Sequence, residues 1–174
     1  MTGQSPGAHR ASGFHRILCP TDFSPVADAG VERAVSLAVR ERAELVILHV
    51  LAPLTAYVLP DVVGSISVEI EEQTREEARI ELRRLRERVR RSGVPAHTVL
   101  AQGYAPQQIA RAAERLHCDL IVLGTHGRTG LTRIFLGSVA EAVVRHAPCP
   151  VLTIRPPQLA LRPGQAEDRL QAAA

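Results

Sequence analysis

Asp119-Leu120-Ile121-Val122-Leu123-Gly124-Thr125-His126-Gly127, nine further residues, then Gly137-Ser138-Val139, is the stretch that decides the fold. Leu120 to Leu123 is an unbroken apolar run between an aspartate and a glycine, the pattern of a strand buried on both faces of a parallel sheet. Ser138 to Ala147 has helical periodicity, and the first amides of such a helix point back toward the end of the strand, where they can hold an anion. Strand-to-helix loops in α/β units usually take about two to six residues. The dozen residues between Gly124 and Gly137, carrying Gly127 and Gly130, therefore suggest a ligand-binding loop rather than a connector.

The same alternation recurs upstream. Phe14 to Pro20 reads as a strand and Pro25 to Arg42 as a helix, with Ser24 as its N-cap, Pro25 at its first position and Ala27, Val31, Ala34, Val35 and Ala38 on one face. Leu45 to Leu51 is a second strand. A long charged helix follows at about Val68 to Ser92, with a narrow seam of Ala78, Leu82, Leu85 and Val89, closed by Gly93. A strand near His97 to Ala101, a helix from Pro106 to Leu116 with Ile109, Ala112, Ala113 and Leu116 inward, and a last strand Val151 to Arg155 complete the series. Five strands alternating with four helices imply an α/β, doubly wound parallel sheet with helices on both faces. Periodicity leaves the strand orders 2-1-3-4-5 and 3-2-1-4-5 both open. Residues 14–156 make one domain, with 1–13 and 157–174 expected to be flexible tails; Pro53 to Ser67 has no readable pattern.

Composition narrows the function classes. With aromatics at 3% and no Trp, the core must be built from Val, Ile, Leu and Ala, as covered parallel sheets are. No apolar run approaches the roughly 20 residues of a membrane span, and the first residues lack the basic and apolar parts of a signal peptide, so a cytoplasmic protein with no membrane partner is expected. Cys19, Cys118 and Cys149 have no metal spacing and an odd count, which reads as reduced, buried thiols. The 7 histidines form no His-x3-His pair, so no metal held by protein side chains is expected. The arginines of Arg75 to Arg91 are interleaved with glutamates and lack aromatics between them, the pattern of a solvated helix face rather than of a nucleic-acid stripe.

The phosphate-binding patterns can be compared directly. A Walker A loop needs a lysine, and all 21 Lys+Arg residues here are arginine, which excludes it. A dinucleotide fingerprint needs Gly-x-Gly-x-x-Gly after the first strand, where this chain has Pro20-Thr21-Asp22-Phe23-Ser24-Pro25. The remaining pattern, Gly124-x2-Gly127-x9-Gly137-Ser138, resembles the ATP-binding signature of the universal stress protein family. Ile17 to Ser24 is similar to that family's opening strand and Pro-x-Asp-x-Ser turn, Leu45 to Val50 to its second strand, and Ala147 to Ile154 to its closing Pro-x-Pro-Val strand. The resemblance spans roughly Phe14 to Arg155.

The resemblance implies the order 3-2-1-4-5, with ligands at the switch between strands one and four. It implies an adenine nucleotide, ATP with Mg²⁺ carried by the nucleotide, held by Pro20, Thr21, Asp22, Val50, Gly124, His126, Gly127, Arg128, Gly130, Gly137, Ser138 and Val139. Asp22 would sit near the ribose or adenine, and Val50 would offer backbone groups to the adenine edge. Several of these residues have plainer roles open to them. Ser138 with Glu141 has the spacing of a capping box, Asp22 suits a loop cap, Arg128 and Arg133 suit either bidentate contact with phosphate or a solvated loop, and His126 reads as a surface residue rather than a general base. Phosphoryl transfer needs a dense set of cations, metal-holding carboxylates and a positioned nucleophile, and the site offers one carboxylate, Asp22, and no lysine, so no catalytic residue is assigned and at most slow ATP hydrolysis or autophosphorylation is expected.

The function expected is therefore a nucleotide-dependent sensor or switch, with a nucleotide-free dimeric scaffold or a cyclic AMP/AMP-binding variant as alternatives. Two other classes fail on residues. An adenylating or pyrophosphatase relative would carry Ser-Gly-Gly-x-Asp-Ser after strand one, and a phosphoacceptor receiver domain an aspartate after strand three and a lysine after strand five. A homodimer through Val151 to Arg155 is implied by the resemblance, and pairing would cover what is otherwise a bare sheet edge.

Overall fold

The computed structural model describes residues 13–53, 65–125 and 137–155, with the backbone alone for 65–68. Its strands are β1 (Arg16–Pro20), β2 (Glu44–Leu51), β3 (Ala96–Gln102), β4 (Leu120–Gly124) and β5 (Val151–Ile154), and its helices α1 (Pro25–Glu41), α2 (Ser65–Arg91), α3 (Ala105–Arg115) and α4 (Ser138–His146). Every strand pair is parallel. The order is β3-β2-β1-β4-β5, which decides between the two orders that periodicity left open. The expected tails, except Gly13, and residues 54–64 of the unreadable segment lie outside the described residues.

Alternation along the strands sorts the core into two layers. Ile17, Cys19, Leu45, Ile47, Leu120 and Val122 face α1 and α2, meeting Val31, Ala34, Leu82 and Val89. Leu18, Val46, Leu48, Ile121 and Leu123 face α3 and α4, meeting Ile109, Ala113, Ala140 and Val143. Both faces of the central strands are thus apolar and buried, as a doubly wound sheet requires. The seam Ala78, Leu82, Leu85 and Val89 of α2 is buried. Its outer face is laced by pairs such as Arg83 with Glu76 at 3.0 Å, whose hydrogen bond holds the Glu76 carboxyl below its usual range.

Helix α1 starts where the sequence places it. Ser24 is the N-cap, its side chain accepting from the Ala27 amide at 3.2 Å. The helix packs tightly on β4 through two glycines. A Cβ on Gly124 would lie 3.0 Å from the Val26 carbonyl oxygen, and one on Gly30 would lie 3.2 Å from the Gly124 nitrogen. At the amino ends of the strands, Arg16 pairs with Glu44 at 3.0 Å and donates to the Leu116 carbonyl at 2.7 Å, tying β1, β2 and the approach to β4 together.

All three cysteines are free, but only Cys19 and Cys118 are buried; Cys149 is partly exposed, because it lies just ahead of the edge strand β5. Burial pushes the Cys19 thiol up to about 12. Burial and the neighbouring Cys149 push Cys118 up to about 11. Both are therefore protonated at neutral pH and poor nucleophiles.

Candidate functional site

The carboxyl ends of the strands open onto a crevice of about 340 Å³ at the point where the strand order reverses, the place where open α/β sheets bind ligands. Its first wall is the turn after β1. Thr21 continues the sheet by one hydrogen bond, its amide donating to the Leu48 carbonyl at 2.8 Å. The chain then turns sharply. The Phe23 amide donates to Thr21 Oγ1 and the Ser24 amide to Asp22 Oδ1, each at 3.0 Å. Asp22 is thus the loop cap that its position suggests while also lining the crevice.

Strand β2 supplies the back of the crevice. The Leu48 carbonyl bonds toward β1 and the Leu51 carbonyl accepts from Gly103 on the β3 side at 2.9 Å. Backbone groups alternate sides along a strand, so those of Val50 turn toward β1. The last β1–β2 pair is Pro20 with Leu48. Val50 lies beyond it, so its N–H and C=O face the crevice.

The opposite wall comes from β4 and α4. Buried Thr125 donates its amide to the Ile154 carbonyl at 2.9 Å and accepts from the Gly137 amide at 2.7 Å, so the two ends of the glycine-bearing loop are tied together. Gly137 is the N-cap of α4 and makes no side-chain cap bond. This corrects the capping-box expectation, in which Ser138 would be the cap. Ser138 is instead the first helical residue and is exposed. The reason is geometric: the Gly137 carbonyl already accepts the first intrahelical bond, from Glu141 at 2.9 Å. The amides of Ser138, Val139 and Ala140 precede that bond and have no partner among the described residues. They are available to an anion.

Of the twelve residues expected at the site, Pro20, Thr21, Asp22, Val50, Gly124, Gly137, Ser138 and Val139 line this one crevice. His126, Gly127, Arg128 and Gly130, like Arg133, lie outside the described residues. Eight lining residues were not expected: Ala27, Leu48, His49, Ala105, Ile109, Leu123, Thr125 and Ala140. Most are core positions at the ends of elements, where an apolar side chain serves both the interior and the ligand wall. Ile109 was readable only as inward-facing, and nothing local marks it as a wall.

Chemically, the crevice combines apolar walls, helix-start amides on one side and a carboxylate on the other. Among the described residues Asp22 is its only carboxylate, and no group of three or more metal-ligating side chains is found. The sequence model of the universal stress protein family matches residues 13–155. The chain belongs to the universal stress protein family. It is 36% identical over 145 residues to Universal stress protein MJ0531 of Methanocaldococcus jannaschii, covering 83% of this chain and 84% of that protein. The structure of universal stress protein UspA from Lactobacillus plantarum superposes with a TM-score of 0.74 at 32% identity, over 83% of this chain and 99% of that one. A universal stress protein in complex with cAMP shares the fold, with a TM-score of 0.61 at 23% identity over 83% and 98% of the two chains. Among the described residues, no helix of this universal stress protein domain is long and apolar enough to cross a membrane.

Proposed function

We propose that this chain is an adenine-nucleotide-binding stress-response protein of the cytoplasm, taking ATP and acting as a nucleotide-dependent sensor or switch. One observation carries the reading: the amides of Ser138, Val139 and Ala140, without a partner among the described residues, the backbone edge of Val50 and the Asp22 carboxylate converge on a single crevice at the switch point. The α4 amides suit a phosphate chain. Val50, with one donor and one acceptor, suits the edge of an adenine, and Asp22 suits ribose hydroxyls. The Mg²⁺ that accompanies the nucleotide needs few protein ligands, since it keeps phosphate oxygens and waters. With one carboxylate among the described lining residues, slow hydrolysis or autophosphorylation is the most the arrangement supports.

The test is calorimetric titration of nucleotide-stripped protein with Mg-ATP, AMP and cyclic AMP in parallel. The reading expects Mg-ATP to bind with a Kd of about 1 μM or better, near −8 kcal/mol. Cyclic AMP belongs in the panel because one protein of this fold is known with it, and preference for it or AMP would change the nucleotide but keep the site. Binding of none of the three would make the nucleotide-free dimeric scaffold the better account.

The same proposal includes a homodimer through Val151–Arg155. Among the described residues, strand β5 is paired on one side only, with β4, and Leu152 and Val144 leave apolar surface exposed beside it. Pairing with a second copy would cover that edge. Sedimentation equilibrium is expected to give twice the chain mass at micromolar concentration, and a monomer there would remove the dimer from the proposal.

A further inference from the structure

The turn after β1 is held in a shape that its own backbone disfavours. Phe23 has a φ of 60°, the left-handed region that bulky L-residues avoid and that persists only where surrounding contacts enforce it. The enforcing group comes from β2. His49 Nδ1 lies 2.8 Å from the Thr21 carbonyl oxygen, and since a carbonyl only accepts, Nδ1 carries the proton and donates. The His49 ring also stacks on Phe23, with centroids 4.4 Å apart and planes 29° from parallel. One buried side chain therefore grips the residues on either side of Asp22. It fixes the carbonyl before the carboxylate-bearing residue and the ring after it.

We infer that His49 is a positioning residue for the nucleotide site: it locks the Thr21–Ser24 turn so that Asp22 is presented to the ligand in a preformed geometry. This rests on the nucleotide-binding reading above. Histidine suits the place because it joins an N–H donor to a flat ring. Asparagine offers the donor without the ring, and phenylalanine the ring without the donor. Preforming the turn removes the ordering that a ligand would otherwise have to impose.

The experiment compares wild type with His49→Leu, His49→Asn and His49→Phe by two readouts. The first is amide hydrogen exchange without ligand, and the second is calorimetric affinity for Mg-ATP. His49→Leu is expected to speed exchange of the Phe23 and Ser24 amides by about tenfold, leaving the β4 amides unchanged, and to weaken Mg-ATP by about tenfold, the loss of one buried hydrogen bond plus a ring contact. His49→Asn and His49→Phe each recover part of both. Unchanged turn exchange in His49→Leu overturns the inference even if affinity falls, because His49 would then touch the ligand directly. Failure of wild type to bind any nucleotide defeats the functional reading alone, since the exchange comparison needs no ligand. Should His49→Leu not fold, His49→Asn and His49→Phe carry the same comparison, and turn protection equal to wild type in both overturns the inference.

Discussion

Gly137→Val should lower Mg-ATP affinity by roughly 30- to 1,000-fold while the domain stays folded, the equivalent of losing two or three backbone hydrogen bonds at about 1 kcal/mol or somewhat more each. The backbone does not require glycine here. Gly137 has φ −59° and ψ 150°, an ordinary extended conformation that a β-branched residue adopts without strain. Its amide would still reach the Thr125 carbonyl, so the tie across the loop survives. What valine adds is an isopropyl group at the mouth of the α4 start, beside the Ser138, Val139 and Ala140 amides. Glycine is the better N-cap, so a stability loss of about 1 kcal/mol or less accompanies the change. A folded Gly137→Val protein with unchanged affinity would show that the α4 amides do not hold the ligand.

How much of this was legible depended on the residue. The apolar run Leu120 to Leu123 and the capped helix beginning at Ser24-Pro25 are local patterns, and both elements appear where those patterns put them. Strand order was not legible from periodicity, because a buried parallel strand looks alike from either neighbour. The resemblance carried by Gly124, Gly137 and Asp22 supplied it. The site was half legible for the same reason. Asp22 and Val50 lie in matched motifs, but Ile109 and Ala105 reach the crevice only because α3 packs beside α4, a long-range fact with no local mark. His49 was visible only as part of a strand; its grip on Thr21 depends on the pairing of β1 with β2. The capping box failed because the spacing of Ser138 and Glu141 permits it without enforcing it, and a glycine one residue earlier took the cap.

Gly124 is the residue whose role the structure changes most, and Gly124→Ala is expected to destabilise the domain by about 1–3 kcal/mol, as overpacking usually does. In the sequence it opens the glycine signature, and the resemblance implies that it helps to hold the nucleotide. In the fold its missing Cβ is what lets α1 close on β4: an added methyl would sit 3.0 Å from the Val26 carbonyl oxygen and 3.1 Å from Val26 Cγ1. The side-chain carbon could rotate away, but the carbonyl belongs to the first turn of a helix capped by Ser24 and cannot yield without moving the helix start. Gly30, one turn further along the same face of α1 and also packed on the Gly124 backbone, leaves no slack for α1 to slide. In a domain of this size the loss corresponds to a fall of roughly 3–10 °C in the unfolding midpoint, measurable by thermal denaturation without nucleotide. Because α1 begins next to Asp22, affinity should fall as well, but as a consequence of the displaced turn and by less than for Gly137→Val. The two glycines thus separate one motif into two functions. Gly137 is expected to change binding with little change in stability, and Gly124 to change stability first. An unfolding midpoint for Gly124→Ala equal to wild type would mean that the contact with Val26 relaxes freely, and the glycine spacing would then owe its first member to the ligand after all.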